Sequence, residues 1–103
     1  MINPDKPKEN QSQACVTKLK ALADPIRLSV LETLIQGPKH VNELMKIVNV
    51  EQSLLSHHLK VLRDVGLVDS LRDGKAVMYR VARGVTGKSS GKTIHLGCCK
   101  LSF

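Results

Sequence analysis

Residues Val41 to Val68 read VNELMKIVNVEQSLLSHHLKVLRDVGLV, and the fold turns on this stretch. Its first ten residues place Val41, Leu44, Ile47 and Val48 inward on a short helix, and Asn49, which tolerates left-handed backbone, then breaks it. After the break Leu55, Leu59, Leu62 and Val65 fall at i, i+4, i+7 and i+10, an apolar stripe that Gly66 ends. The result is two helices joined by a short turn. The second also carries Ser53, Ser56, His57 and Lys60 at i, i+3, i+4 and i+7, setting hydroxyls, an imidazole and an ammonium on one surface face. A solvated polar face would look the same in isolation. Behind a helix and a turn, these groups suit phosphates and base edges and are read as DNA contacts. His58, one residue on, is expected to pack or cap at the core edge.

Working toward the amino terminus, ADPIRLSVLETLIQGPKH (Ala23 to His40) has a clear start signal. Asp24 can cap free amides, and Pro25 occupies the first turn, where no amide is needed. Gly37 and Pro38 stop the helix, and Ile26, Val30, Leu31, Leu34 and Ile35 keep one face apolar between those limits. Before it, QSQACVTKLKALA spaces Ala14, Cys15, Leu19 and Leu22 as in another helix. Residues 1–10, MINPDKPKEN, hold two prolines and no apolar period and are expected to form a mobile arm.

Working toward the carboxyl terminus, LVDSLRDGKAVMYRVA alternates on both sides of Asp73-Gly74, a pairing that favours a tight hairpin turn. Val68, Ser70 and Arg72 share one face of its first strand, and Val77, Tyr79 and Val81 share one face of its second. Arg72, Lys75 and Arg80 make this hairpin basic, and a basic hairpin after such a helix is a wing. A Gly, Ser and Lys run from Arg83 to Lys92 reads as a flexible connector. The chain then turns apolar, and Thr93, Ile94, Leu96, Leu101 and Phe103 suggest a short extended segment. The expected division is therefore an arm at 1–10, a winged helix-turn-helix domain at 11–82, and a connector with a thiol-bearing tail at 83–103.

The chain has 103 residues, with one Phe, one Tyr and no Trp, so a modest aliphatic core built from packed helices is expected. Lys and Arg outnumber Asp and Glu by 16 to 9, a formal +7 that suits a polyanionic partner. No basic-then-apolar leader opens the sequence and no apolar run approaches the roughly 18 residues of a membrane span, so a cytoplasmic protein without a membrane partner is expected. Three cysteines, an odd number without a secretory signal, argue against a disulfide-stapled scaffold and for reduced thiols.

Taken together, LADPIRLSVLETL, VNELMKIVNVEQSLLSHHLKVLRDVGLV and RDGKAVMYRVA resemble the ArsR/SmtB family of small winged-helix repressors, over roughly Leu19 to Ala82. The resemblance implies a mainly α fold with a small antiparallel β wing and a homodimer that binds double-stranded operator palindromes and leaves them when a metal, metalloid or oxidant reaches sensor thiols. It puts the Gln52 to Val65 helix in the major groove, with Gln52, Ser53, Ser56 and His57 as contacts, Lys60 on the same face, and Arg72 and Lys75 of the hairpin near flanking phosphates. Two departures stand out. Where arsenic- and cadmium-responsive relatives carry Cys-x-Cys after Glu-Leu, this chain has Met45 and Ile47 after Glu43-Leu44, and where zinc-responsive relatives use a long final helix it offers only His95. Dimerisation is assigned to the Gln11 to Ala23 helix, assisted by the apolar tail.

These departures leave Cys98 and Cys99 as the clustered soft ligands. Trivalent arsenic or antimony takes three thiolates in a pyramid; Cys15 would be the third, reached within its own subunit or across a dimer. The expected function is thus a repressor released by arsenite or antimonite, most like the arsenic-responsive members. One alternative is a mixed site of Cys15, His95, Cys98 and Cys99 for zinc, cadmium or lead, or release by thiol oxidation. A thiol oxidoreductase is a distant third, because the pair lacks the Cys-x-x-Cys spacing and any accompanying base. No enzyme activity and no small-molecule substrate are expected.

Overall fold

The computed structural model describes residues 11–86 and 92–103, so the arm and the middle of the connector lie outside the described residues. Four helices come first: α1 (Gln11–Leu22), α2 (Pro25–Ile35), α3 (Val41–Val48) and α4 (Gln52–Asp64). A short strand β1 (Lys39–His40) precedes α3, β2 (Val68–Asp73) and β3 (Ala76–Val81) follow α4, and β4 (Thr93–His95) and β5 (Lys100–Ser102) form the tail. No described helix is long and apolar enough to cross a membrane.

Helix limits follow from local chemistry. Asp24 Oδ1 accepts the Ile26 and Arg27 amides at 2.8 and 3.1 Å, satisfying two orphan donors at the start of α2, and these bonds hold its carboxyl below its ordinary pKa. Asn49 ends α3 in the left-handed region at φ 59°. Gly66, at φ +86°, makes the sharp exit from α4 into the wing that a β-carbon would strain.

Leu31, Leu44, Leu55, Leu59, Leu62 and Leu67 are fully buried and bind the four helices into one core. Ile47, expected inward, is instead 52 % exposed. The eight-residue α3 buries its contact face through Leu44, and Ile47 sits in its last turn.

The wing pairs as an antiparallel hairpin, with Val68 opposite Val81, Ser70 opposite Tyr79 and Arg72 opposite Val77. Asp73 pairs with Ala76, so the two turn residues are Gly74 and Lys75 rather than Asp73 and Gly74. Strand β1, not expected from the sequence, pairs Lys39 with Tyr79 and His40 with Met78 and makes the order β1-β3-β2. The tail is extended, as expected, and forms its own hairpin with Ile94 opposite Leu101. Its start is not a free connector, since Val85 is buried, the Val85 carbonyl accepts the His95 amide, and Thr86 bridges Ile94. Ile94 and Leu96 belong to the same core as Leu59 and Leu62.

Candidate functional site

The tail hairpin exists to hold a loop. Between β4 and β5 the Leu96 amide donates to the Cys99 carbonyl at 2.9 Å, and Gly97 turns at φ 103°. Leu96 is buried and anchors one side of this loop, so Cys98 and Cys99 are carried against α1, where Cys15 is fully buried. The three sulfurs all lie within 4.8 Å of one another. Cys15 and Cys98 are joined by a disulfide with Cα atoms 5.9 Å apart, and Cys99 is free, its Sγ 3.8 Å from that of Cys15.

This corrects the expectation of three reduced thiols. Cysteine count said nothing about proximity, and docking of the tail into the core brings two of them within bonding reach. The pairing also lies within one chain, so Cys15 reaches the tail without a second subunit. His95 is exposed and outside the sulfur group, which corrects its place in a mixed metal site. Strand alternation turns the sides of Ile94 and His95 apart, burying the first and exposing the second.

The second candidate region is the outer face of α4 with the wing. Gln52, Ser53, Ser56, His57 and Lys60 are all exposed, as are Arg72 and Lys75. Gln52 and Lys75 line one cleft of about 240 Å³ with His40, Val41, Asn42, Ala76 and Val77, so the start of α4 and the wing turn share a concave surface. Lys60 is not a free cation: its Nζ donates to Asp64 Oδ2 at 2.9 Å, and this bond holds the Asp64 carboxyl below its ordinary pKa. The four-residue spacing of that pair was visible in the sequence. Arg80, counted among the basic wing residues, faces Asp69 at 3.9 Å.

Two histidines brace this region, and neither brace was read from the sequence. His40 donates from Nε2 to Asp73 Oδ2 at 2.9 Å, while Nδ1 lies 3.3 Å from Glu43 Oε1, which also accepts the His40 amide at 2.8 Å. The bond to Asp73, helped by Glu43, raises the His40 pKa, and the same bond ties the start of α3 to the wing turn. His58 is buried, as expected, with its Nδ1 3.0 Å from Arg27 Nη1, and burial chiefly lowers its pKa.

The profile of the arsR family of bacterial regulatory proteins matches residues 24–70. The HTH-type transcriptional regulator NmtR of Mycobacterium tuberculosis is 43 % identical over 77 residues, which are 74 % of this chain and 64 % of that relative. The chain thus spans just under two thirds of that protein's length. The solved transcriptional repressor BigR from Xylella fastidiosa superposes with a TM-score of 0.66 at 34 % identity, covering 81 % of this chain and 83 % of that one. The homodimeric winged helix-turn-helix domain of Mb0332 from Mycobacterium bovis, a possible ArsR-family regulator, gives a TM-score of 0.69 at 29 % identity, over 80 % and 76 % of the two chains.

Proposed function

We propose that this chain, which belongs to the ArsR family of bacterial regulatory proteins, is a dimeric repressor that releases operator DNA when trivalent arsenic or antimony binds Cys15, Cys98 and Cys99. Members of this family regulate transcription and are not enzymes, so the three thiols are read as a sensor. The observation that supports the reading is their proximity: three sulfurs within 4.8 Å of one another are close enough, once the Cys15–Cys98 bond is reduced, to share one three-coordinate thiophilic ion. One comes from α1 and two from the tail loop, so an ion bound there clamps the tail to the helix assigned to dimerisation. Binding requires all three as thiolates, so the competent form is the one with the Cys15–Cys98 bond reduced.

DNA recognition is assigned to the exposed face of Gln52, Ser53, Ser56, His57 and Lys60, flanked by Arg72 and Lys75. Specific side chains here suit base edges, while the wing cations suit phosphates.

A second reading has its own support in the disulfide between Cys15 and Cys98. In it oxidation of the thiols, rather than a metalloid, changes DNA affinity. Zinc, cadmium or lead would have to use the three sulfurs without His95.

The deciding experiment uses a fluorescent duplex carrying the sequence the chain selects from a random pool. Reduced protein is titrated onto it, then challenged with arsenite, antimonite, zinc, cadmium or peroxide, alongside each cysteine-to-serine variant. Release by arsenite that is lost in Cys98→Ser and Cys99→Ser supports the metalloid reading. Release by peroxide alone supports oxidation, and normal release from every variant removes the thiols from sensing.

A further inference from the structure

The sulfur cluster and the outer face of α4 lie on different parts of the molecule, and a repressor of the kind just described needs a physical link between them. Arg27 supplies one. It stands in the first turn of α2, and its amide donates to Asp24 Oδ1 at 3.1 Å, which fixes the start of its side chain. Its Nε–H donates to the Ala21 carbonyl in the last turn of α1 at 2.6 Å. Its Nη1 donates to His58 Nδ1 on α4 at 3.0 Å. One planar group therefore grips α1 and α4 at once while rooted in α2.

The chemistry makes this grip directional. A guanidinium has donors and no acceptor, so His58 must offer a lone pair at Nδ1 and carry its proton on Nε2. The fork is rigid, so a displacement of one end is passed to the other rather than absorbed by a flexible stem. Arg27 makes no ion pair within 4.0 Å among the described residues, and the Asp24 carboxylate acts on the Arg27 guanidinium and on His58 only through space. Ala21 lies on the same helix as Cys15, six residues on, or about 9 Å along the axis. His58 is buried, and its neighbour His57, with ring centroids 5.4 Å away, is exposed on the face assigned to DNA.

We propose that Arg27 is a positioning residue that carries the state of the Cys15 cluster through Ala21 and His58 to the DNA-facing side of α4. The proposal rests on the repressor reading for its purpose, but the mechanical link itself does not need DNA. A shift of α1 when its Cys15 is bridged or ligated moves the Ala21 carbonyl, and the guanidinium passes that movement to His58. Such coupling is read as a free energy shared between the two sites.

Two measurements on the full chain test it. The first is the ratio of DNA affinities between dithiothreitol-reduced protein and protein carrying arsenite or the Cys15–Cys98 disulfide. The second is the ¹⁵N resonance of the His58 ring without DNA in the same states. In the native protein the affinity ratio is expected to reach about tenfold, a common size for such coupling, with His58 Nδ1 shifting between states. Arg27→Lys keeps the charge but cannot span both partners, and should bind arsenite with unchanged stoichiometry while the ratio falls toward one and the His58 shift disappears. His58→Asn, which keeps an acceptor near the Nδ1 position, should preserve the ratio, and His58→Leu should lose it.

A full affinity ratio in both Arg27→Lys and His58→Leu overturns the proposal. So does a His58 resonance in the native chain that ignores the sulfur state. If His58 responds through Arg27 while DNA affinity never changes, the link stands and the thiol-controlled release of DNA falls.

Discussion

The Sγ of Cys99 lies 3.8 Å from the Sγ of Cys15 across 84 residues of sequence, yet the neighbouring Cys98 holds Cys15 in the disulfide. Two adjacent thiols thus compete for one partner. Cys98→Ser alone is expected to leave a crosslink, re-formed between Cys15 and Cys99, whereas Cys98→Ser with Cys99→Ser removes it. The bridge spans 83 residues, so its loss should cost about 2–4 kcal/mol against urea, mainly by freeing the unfolded chain. Urea midpoints with and without dithiothreitol check this: the double variant should be indifferent to reductant, and both single tail variants should remain sensitive to it.

The outer face of α4 predicts two kinds of mutational effect. Ser56→Ala and His57→Ala should each cost about 1–3 kcal/mol on the selected sequence and relax its specificity, as loss of a base contact does. Lys75→Ala should weaken binding to all sequences and reduce the salt slope by about 1. Asp64→Asn frees Lys60 from its 2.9 Å ion pair and is expected to tighten binding at low salt. Fluorescence anisotropy over a series of salt concentrations distinguishes these outcomes.

The two buried or bracing histidines pull the pH dependence in opposite directions. Contact with Asp73 raises the His40 pKa above 6.5, so its contribution is full below that value and is lost as pH rises through the elevated pKa. Burial lowers the His58 pKa below 6.5, so its contribution is present above that value and is lost as pH falls through the depressed pKa. Subtracting the melting temperature of His40→Gln from that of the native chain, between pH 5 and 9, should give a difference that falls on the alkaline side. Asp73→Asn should flatten that alkaline fall in the native background, because the Asp73 carboxylate is the main cause of the raised pKa.

What could be read from the sequence was local. Asp24 with Pro25 and Asn49 each act within a few residues of themselves and stand where they were expected, and the hairpin forms around Gly74 with its turn one residue later than read. The strand Lys39–His40 escaped because two residues show no alternation, and only pairing with Met78 and Tyr79 makes it a strand. The polar face of α4 was legible from helical spacing, but its braces were not. Arg27 and His58 are 31 positions apart and His40 and Asp73 are 33 apart, and no periodicity encodes such approaches. The three thiols singled out in the sequence lie within 4.8 Å of one another. Their bond was not foreseen, because it depends on Ile94 and Leu96 drawing the tail into the core.

The same inward turn of Cys15 dictates what α1 shows to solvent. With Cys15 and Leu22 buried, Val16 and Leu19 are left 48 % and 38 % exposed, three residues apart on one side of the helix. An apolar pair at that spacing suits a helix-to-helix contact, and the homodimeric relative gives a precedent for two copies. Leu28, Ile47 and Leu54 are exposed as well, so exposure alone does not choose the interface. Placing charge on the apolar pair does. Val16→Lys with Leu19→Lys should convert a dimer to a monomer in sedimentation velocity, whereas Ile47→Lys, on α3, should leave it intact. On DNA, the α1 variant should bind a half-site about as well as the native chain but lose the added affinity for a palindrome, since two linked half-sites need a dimer. A dimer that survives both α1 substitutions would move the interface away from α1, and one lost only in Ile47→Lys would place it on α3.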